Sequence, residues 1–213
     1  MEFEVLKSAK NHVLLSLAAN EKTHAVYPFD FRFQLAYTLE HTALCVEYRV
    51  ENIGDTELLF CVGGHTAYNC PLHGEETFEE YLVQFEKTEN FSRLLTTEAG
   101  LFTGEKLPFL QNTNSFSLNH DMFDLDVIVP DNLQSKSVSL INKKTGHGVQ
   151  VDYPDFETLA VWSQKGDAPF VCLEPWNGRA SGVDDSLSLE EKQGIIRLAP
   201  FSRYNATHTI SLL

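Results

Sequence analysis

The sequence predicts an all-β protein built from large antiparallel sheets, arranged as a sandwich or a barrel. Short apolar or alternating runs recur along the whole chain, and turn residues separate them at fairly regular spacing. Helical patterns are weak and amount to a single turn at 188–192. A length of 213 residues suits one large domain, so we expect residues 1–213 to fold as a single unit.

The predicted strands follow one another with short turns between them. Residues 3–6 and 13–17 predict an opening hairpin, and an extended region from residue 27 carries apolar side chains at alternate positions as far as 39. The glycine-rich stretch 63–71 predicts an irregular loop that leaves the sheet. The other predicted strands are 43–50, 58–62, 81–85, 127–129, 137–141, 148–151, 158–162, 170–173, 195–198 and 204–213.

Charge and composition narrow the class of partner. A net charge of −14 argues against binding to nucleic acid or to an anionic membrane, although one local basic cluster would still hold a phosphorylated substrate. No apolar run approaches the ~20 residues of a membrane span, and residues 1–4 do not begin a signal peptide. The four cysteines show no C-x-x-C spacing and fit buried free thiols. We therefore expect a cytoplasmic protein.

One carboxylate stands out because it lies within an apolar strand. In the run Phe-Val-Cys-Leu-Glu-Pro-Trp at 170–176, alternation puts Cys172, Glu174 and Trp176 on the same face. An ionised carboxylate is not buried cheaply without a partner, so Glu174 must face a cavity, a partner or solvent. A carboxylate beside aromatic rings suits a sugar, but an acid at a strand end that is just entering solvent fits as well.

Two further stretches contain candidate site residues. His65 follows two glycines, where the backbone can approach a ligand closely, although a loop histidine bonded to a neighbouring carbonyl would look the same. Three carboxylates between residues 121 and 126 precede an apolar run, and a solvated acidic turn is the alternative. The glycine and oxygen-ligand spacing of a calcium loop is missing there, and the scattered histidines give no metal signal.

Taken together, these stretches resemble the aldose 1-epimerase family, in its bacterial LacX-like branch. The run GGHTAYNCPL at 63–72 is similar to that family's GGHPAFNCPL signature, and 170–176 resembles one of its paired C-terminal strands. The segments 27–31, 50–55 and 159–163 also resemble family segments, so the similarity runs over essentially the whole chain. The resemblance implies a galactose mutarotase-like supersandwich with its site on a concave sheet surface.

The resemblance also implies an activity and assigns residues to it. The family interconverts the anomers of an aldose without metal or organic cofactor. Glu174 matches the glutamate that removes the proton from the anomeric hydroxyl, and His65 matches the histidine that donates a proton to the ring oxygen. Asp126 is the best match to an aspartate that contacts sugar hydroxyls. Trp176 is one of the aromatic residues that could stack on a pyranose face.

The sequence departs from the family at its start, and two alternative functions remain open. Family segments of the form G-R and H-G-F-x-R, which supply an arginine and a second histidine, do not occur here. We therefore expect a fold truncated at its N-terminus relative to the family, a weak or inactive mutarotase, and a homodimer through exposed sheet edges. A hexose-phosphate epimerase would need a cation such as Arg179. A non-catalytic carbohydrate-binding or regulatory protein is the other alternative.

Overall fold

Antiparallel strands make up most of the structure, a computed structural model that describes residues 1–186 and 188–213. The helical parts described are α1 (Glu21–His24) and three 3₁₀ turns at Phe78–Glu80, His120–Phe123 and Leu189–Glu191, the last of which confirms the predicted single turn. No helix in these two ranges is long and apolar enough to cross a membrane. The strands are β1 (Glu4–Ala9), β2 (His12–Ala18), β3 (Phe31–Glu40), β4 (Ala43–Asn52), β5 (Leu58–Phe60), β6 (Val62–Gly63), β7 (Thr66–Asn69), β8 (Tyr81–Thr96), β9 (Phe102–Ser117), β10 (Val129–Pro130), β11 (Ser137–Asn142), β12 (Gly148–Asp152), β13 (Thr158–Trp162), β14 (Phe170–Asn177), β15 (Ile196–Leu198) and β16 (Arg203–Leu212).

Most strands belong to one large sheet. It has ten strands in the order β1-β2-β3-β4-β16-β12-β11-β8-β10, with β9 paired to β8. A second sheet of four strands centres on β14, which pairs with β13 along one edge and with β6 and β7 along the other. Strands β5 and β15 form a two-stranded sheet. The prediction of an all-β protein with large antiparallel sheets is confirmed.

The main core lies between the large sheet and the sheet that contains β14. Val83 and Leu140 of the large sheet and Val171 and Leu173 of β14 belong to the same buried apolar cluster. Because side chains alternate along a strand, Cys172 and Glu174 lie on the other face of β14. The core therefore determines which face of β14 carries the candidate site.

Between residues 63 and 118 one prediction was wrong and another was too short. The stretch 63–71 is not wholly irregular, because β7 and the end of β6 pair with β14 there. The long hairpin of β8 and β9 extends far beyond the predicted strand 81–85. Its pairing register shifts between Gln84 and Glu89, where the polar sequence looks like a turn. Glu89 is nevertheless buried, and its carboxylate accepts hydrogen bonds from the Ser135 backbone N–H and hydroxyl.

Candidate active site

Backbone register places His65 opposite Glu174. Trp176 of β14 pairs with Gly63 of β6, and Leu173 pairs with Thr66 of β7. Counting inward from both pairs brings His65 and Glu174 to the same level of the sheet. The imidazole Nε2 lies 3.4 Å from the carboxylate Oε1. Main-chain pairing on both sides thus holds the two candidate catalytic groups together.

The two glycines before His65 allow the chain to run close to its neighbours. A Cβ atom added at Gly63 would lie 2.8 Å from the Pro175 carbonyl oxygen. One added at Gly64 would lie 2.9 Å from the Tyr48 hydroxyl and 3.1 Å from Cε1 of His208. The Gly63 contact is with the backbone, so that position requires glycine for lack of space, whereas a Cβ at Gly64 would have to displace the side chains of Tyr48 and His208. The glycines therefore set the depth at which His65 lies.

Glu174 is almost completely buried, whereas His65 is open to solvent. The Glu174 side chain is 3% exposed and the His65 side chain 64% exposed. Oε1 of Glu174 is buried and has no hydrogen-bond partner within the described chain. Burial raises the pKa of Glu174 to about 7; Asp126 adds to this increase, and nearby Trp176 opposes it. Glu174 is thus a carboxyl group that changes protonation near neutral pH.

A polar network holds Asp126 beside this pair. The Trp162 indole donates to Oδ1 of Asp126 at 2.9 Å, and the Thr96 hydroxyl donates to Oδ2 at 3.1 Å. The Trp162 ring meets the His65 ring edge to face, with centroids 5.7 Å apart. Asp126 itself is exposed and has a φ of 69°, in the left-handed region. The turn that carries it must therefore be held in place by other residues.

Arg93 is the residue that anchors this turn. It is 4% exposed, and its guanidinium donates to the backbone carbonyls of Met122, Asp126 and Val127 at 2.6, 2.7 and 3.2 Å. A buried arginine that satisfies three carbonyls of one turn fixes the shape of that turn. Sequence reasoning missed Arg93, although a lone cation in the alternating run that begins with Phe91 was a usable signal.

A cavity of about 340 Å³ opens beside the pair, and its lining includes His65, Trp176 and Arg179. Trp176 pairs with Gly63 and lies next to the carboxylate. Arg179 lies two residues beyond the end of β14. Its guanidinium carbon stands 5.7 Å from the centre of the Phe102 ring, and it also donates to Gln193. The structure therefore brings Trp176 close to the pair and directs the Arg179 guanidinium towards a neighbouring loop.

Cys172 is a second residue at this site for which sequence reasoning predicted no role. It is 1% exposed and shares the face of β14 with Glu174. Its Sγ lies within 4.8 Å of a ring nitrogen of His65 and within 4.8 Å of a carboxylate oxygen of Glu174. Burial, with a contribution from Glu174, raises the pKa of this thiol to about 12. The thiol is therefore protonated at neutral pH.

Comparison with known proteins assigns the family. A sequence profile described as aldose 1-epimerase matches residues 1–188. Two LacX proteins of Lactococcus lactis subsp. lactis, one chromosomal and one from a plasmid, are each 32% identical over 215 residues. These matches span 100% of this chain and 72% of each relative. The chain belongs to the aldose 1-epimerase family. The resemblance noted from the sequence is thereby confirmed.

Solved structures agree with this assignment. A galactose mutarotase related enzyme of Lactobacillus acidophilus superimposes with a TM-score of 0.93 at 28% identity, over 100% of this chain and 71% of the other. A galactose mutarotase-like protein of Lactobacillus casei gives a TM-score of 0.90 at 23% identity, over 100% and 73%. The fold is thus galactose mutarotase-like, and membership of the family supports a mutarotase-like isomerase that acts on small sugars.

Proposed function

We propose that this protein interconverts the anomers of an unphosphorylated aldohexose, with Glu174 as general base and His65 as general acid. One observation carries the proposal. Oε1 of buried Glu174, which has no hydrogen-bond partner among the described residues, lies 3.4 Å from Nε2 of the solvent-exposed His65 imidazole. The imidazole lines a cavity that also contains an indole ring. Paired titratable groups in contrasting surroundings, at the wall of a cleft, are typical of acid–base catalysis.

The reaction needs one proton removed and one proton supplied. The Glu174 carboxylate takes the proton of the anomeric hydroxyl, the O1 electrons form the C1=O bond, and the C1–O5 bond breaks. Protonated His65 gives its proton to O5, which leaves an open-chain aldehyde. After rotation about C1–C2, O5 adds to the other face of C1, His65 takes its proton back, and Glu174 returns its proton to O1. Both side chains thus return to their starting protonation states.

The observed geometry suits this exchange. O1 and O5 are bonded to the same carbon, so an acid and a base a few ångströms apart reach both oxygens. A base with a pKa of about 7 is partly ionised near neutrality and accepts a proton more readily than an ordinary carboxylate. The exposed His65 side chain has room to move aside as the sugar enters. Glu174 is buried, and its position therefore stays fixed as the sugar enters.

Sugar recognition is proposed for Asp126 and for the aromatic rings. Two hydrogen bonds hold the Asp126 carboxylate, and its exposed position leaves acceptor capacity for sugar hydroxyls. The Trp176 ring offers an apolar face inside the cavity. Among the described residues that line the cavity, Arg179 is the one arginine or lysine. A single cation already engaged by Phe102 favours a sugar without phosphate.

Mutarotation assays of two variants test the assignment. Freshly dissolved α-anomers of glucose and galactose are followed by polarimetry with the wild-type chain and with Glu174→Gln and His65→Ala. General acid–base catalysis contributes about 10²- to 10⁴-fold, so each variant should lose activity on that scale. The matched controls are Glu98→Gln and His147→Ala, which change exposed residues outside the cavity lining and should retain the wild-type rate.

The outcomes separate the competing functions. Loss of catalysis in both variants, with sugar binding still detected by NMR titration, supports the proposed enzyme. Sugar binding without catalysis by the wild-type chain would instead indicate a carbohydrate-binding protein. Glucose 6-phosphate as a much better substrate than glucose, with that preference lost in Arg179→Met, would indicate a hexose-phosphate epimerase. Unchanged catalysis in both Glu174→Gln and His65→Ala would refute the proposed roles.

A further inference from the structure

Three different metal-ligating side chains meet at one point of this sheet. The ligand atoms of His65, Cys172 and Glu174 all lie within 4.8 Å of one another. The three residues come from two adjacent chain segments, since Cys172 pairs with Ala67 in the same register that sets His65 opposite Glu174. No short sequence motif contains all three, which is why spacing along the chain shows no metal site.

The donor set matches one kind of cation. An imidazole nitrogen, a thiolate sulfur and a carboxylate oxygen are the ligands that zinc takes in proteins. The negative charges of a thiolate and a carboxylate together balance a divalent cation. Hard cations such as Mg²⁺ prefer oxygen ligands and would not use the thiol. The chemistry therefore selects a borderline-soft divalent ion.

A second observation points to the same place. Oε1 of Glu174 is buried in a side chain that is 3% exposed, and it has no hydrogen-bond partner among the described residues. It is also the oxygen 3.4 Å from His65 Nε2, so it is aimed into the cluster. A buried acceptor without a partner is costly, and a cation at this point would satisfy it. The buried oxygen thus indicates an incoming ligand independently of the donor types.

We propose that Zn²⁺ binds to His65, Cys172 and Glu174 and thereby inhibits the protein. Cys172 loses its thiol proton to solvent on binding, while the exposed His65 ring turns inward to close the ligand set. With three protein ligands, a tetrahedral Zn²⁺ would take water as its fourth ligand. The bound ion is coordinated by both His65 and Glu174, so neither group of the acid–base pair is free to exchange a proton with the sugar. The inhibition rests on the proposed function, whereas the binding does not.

Cobalt and zinc titrations test the binding directly. Co²⁺ is added to the chelator-treated full chain, and the sulfur-to-cobalt charge-transfer absorption is recorded; Zn²⁺ affinity is measured by calorimetry. The wild-type chain should bind one equivalent and show the band. Cys172→Ala should lose the band, and both Cys172→Ala and His65→Ala should bind Zn²⁺ at least about tenfold more weakly. Cys61→Ser, which removes the exposed thiol, is the matched control and should bind like wild type.

The activity arm compares each variant with itself, with and without Zn²⁺. Saturating Zn²⁺ should lower the wild-type mutarotation rate at least about tenfold and should change the Cys172→Ala rate less than about twofold. Absence of the sulfur band, its persistence in Cys172→Ala, or equal inhibition of both proteins would overturn the proposal. His65 is exposed, so its variant keeps the test decisive if Cys172→Ala does not fold. A wild-type chain without mutarotase activity would refute the proposed function, and the cobalt spectrum would still decide on the metal site.

Discussion

Replacing Glu174 with glutamine should stabilise the folded protein above neutral pH. The reason is linkage between protonation and folding. Burial raises the pKa of Glu174 from its ordinary 4.5 to about 7, so between these values the folded state holds a proton that the unfolded state has released. The free energy of unfolding therefore falls as pH rises through this window. Glutamine does not titrate, so the free energy of unfolding of Glu174→Gln does not fall with pH for this reason.

The size of the effect follows from the pKa difference. A change of one in pKa corresponds to about 1.4 kcal/mol, so ionising Glu174 in the folded state costs about 3 kcal/mol once the pH exceeds its folded pKa. The side chain is 3% exposed, so solvent screening removes little of this cost. The stability of Glu174→Gln relative to wild type should therefore increase by about 3 kcal/mol between about pH 4 and about pH 8.

Urea unfolding at a series of pH values measures this difference. Both proteins are unfolded in a chelator-containing buffer, and the difference between their free energies of unfolding is plotted against pH. The curve should rise between the unfolded and folded pKa values and then level off, while mutarotation is lost in the variant. A flat difference curve would refute the argument, because it would mean that Glu174 has an ordinary pKa. Glu98→Gln is the matched control, because it makes the same substitution at an exposed position.

Three further predictions concern the surroundings of the pair. Burial lowers the pKa of His208 from 6.5 to about 4, so the wild-type protein loses up to about 3 kcal/mol of stability as the pH falls between these two values. His208→Phe should not show this loss when the free energy of unfolding is measured with urea. Asp126→Asn removes a negative charge that helps raise the pKa of Glu174, so the acidic limb of the pH–rate profile should move to lower pH while KM for sugar rises. Gly64→Ala puts a Cβ 3.1 Å from Cε1 of His208, and this crowding should displace the adjacent His65. The value of kcat/KM should fall about a hundredfold, while circular dichroism should show little loss of folded structure.

Each of these variants has a control on this chain. Gly74→Ala adds a Cβ where no atom lies within 4 Å, and should leave kcat/KM unchanged. His147→Phe and Asp121→Asn change exposed residues and should alter neither acid stability nor the pH–rate profile. If Gly74→Ala is as damaging as Gly64→Ala, or if Asp121→Asn shifts the profile as Asp126→Asn does, the local explanations fail.

The features that could be predicted from the sequence are those that depend on local pattern. The alternation at 170–176 correctly predicted the strand and its two faces, because Val171 and Leu173 lie in the core. The motif around His65 and the strand around Glu174 also led to the correct family. Local pattern did not show that two flanking strand pairs hold these residues at the same level, since that information lies in long-range pairing.

The residues that sequence reasoning missed depend on distant partners. Arg93 matters because three carbonyls of a turn some thirty positions away bond to its guanidinium. Glu89 lies in a polar stretch of the sequence, but its buried carboxylate accepts hydrogen bonds from the backbone N–H groups of residues 134 and 135. Cys172 looked like a core thiol and gained meaning only beside two other ligand atoms. The hydropathy of a single residue gives no information about these contacts between distant residues.

Several expectations from the sequence stay predictions. They are the single domain over residues 1–213, the cytoplasmic location and the absence of a required cofactor. The homodimer is another; β1 is the outer strand of the large sheet among the described residues, and all six of its residues are exposed. Size-exclusion chromatography with light scattering would show whether two copies associate.

The pairing of β14 with β6 and β7 has a consequence for how this protein can diverge. Substitutions around the pair change its chemistry gradually, because the backbone still holds His65 opposite Glu174. A single inserted or deleted residue between Gly63 and Thr66 would shift the register and turn the imidazole to the opposite face. Homologous sequences that keep the active pair should therefore keep the length of this segment constant.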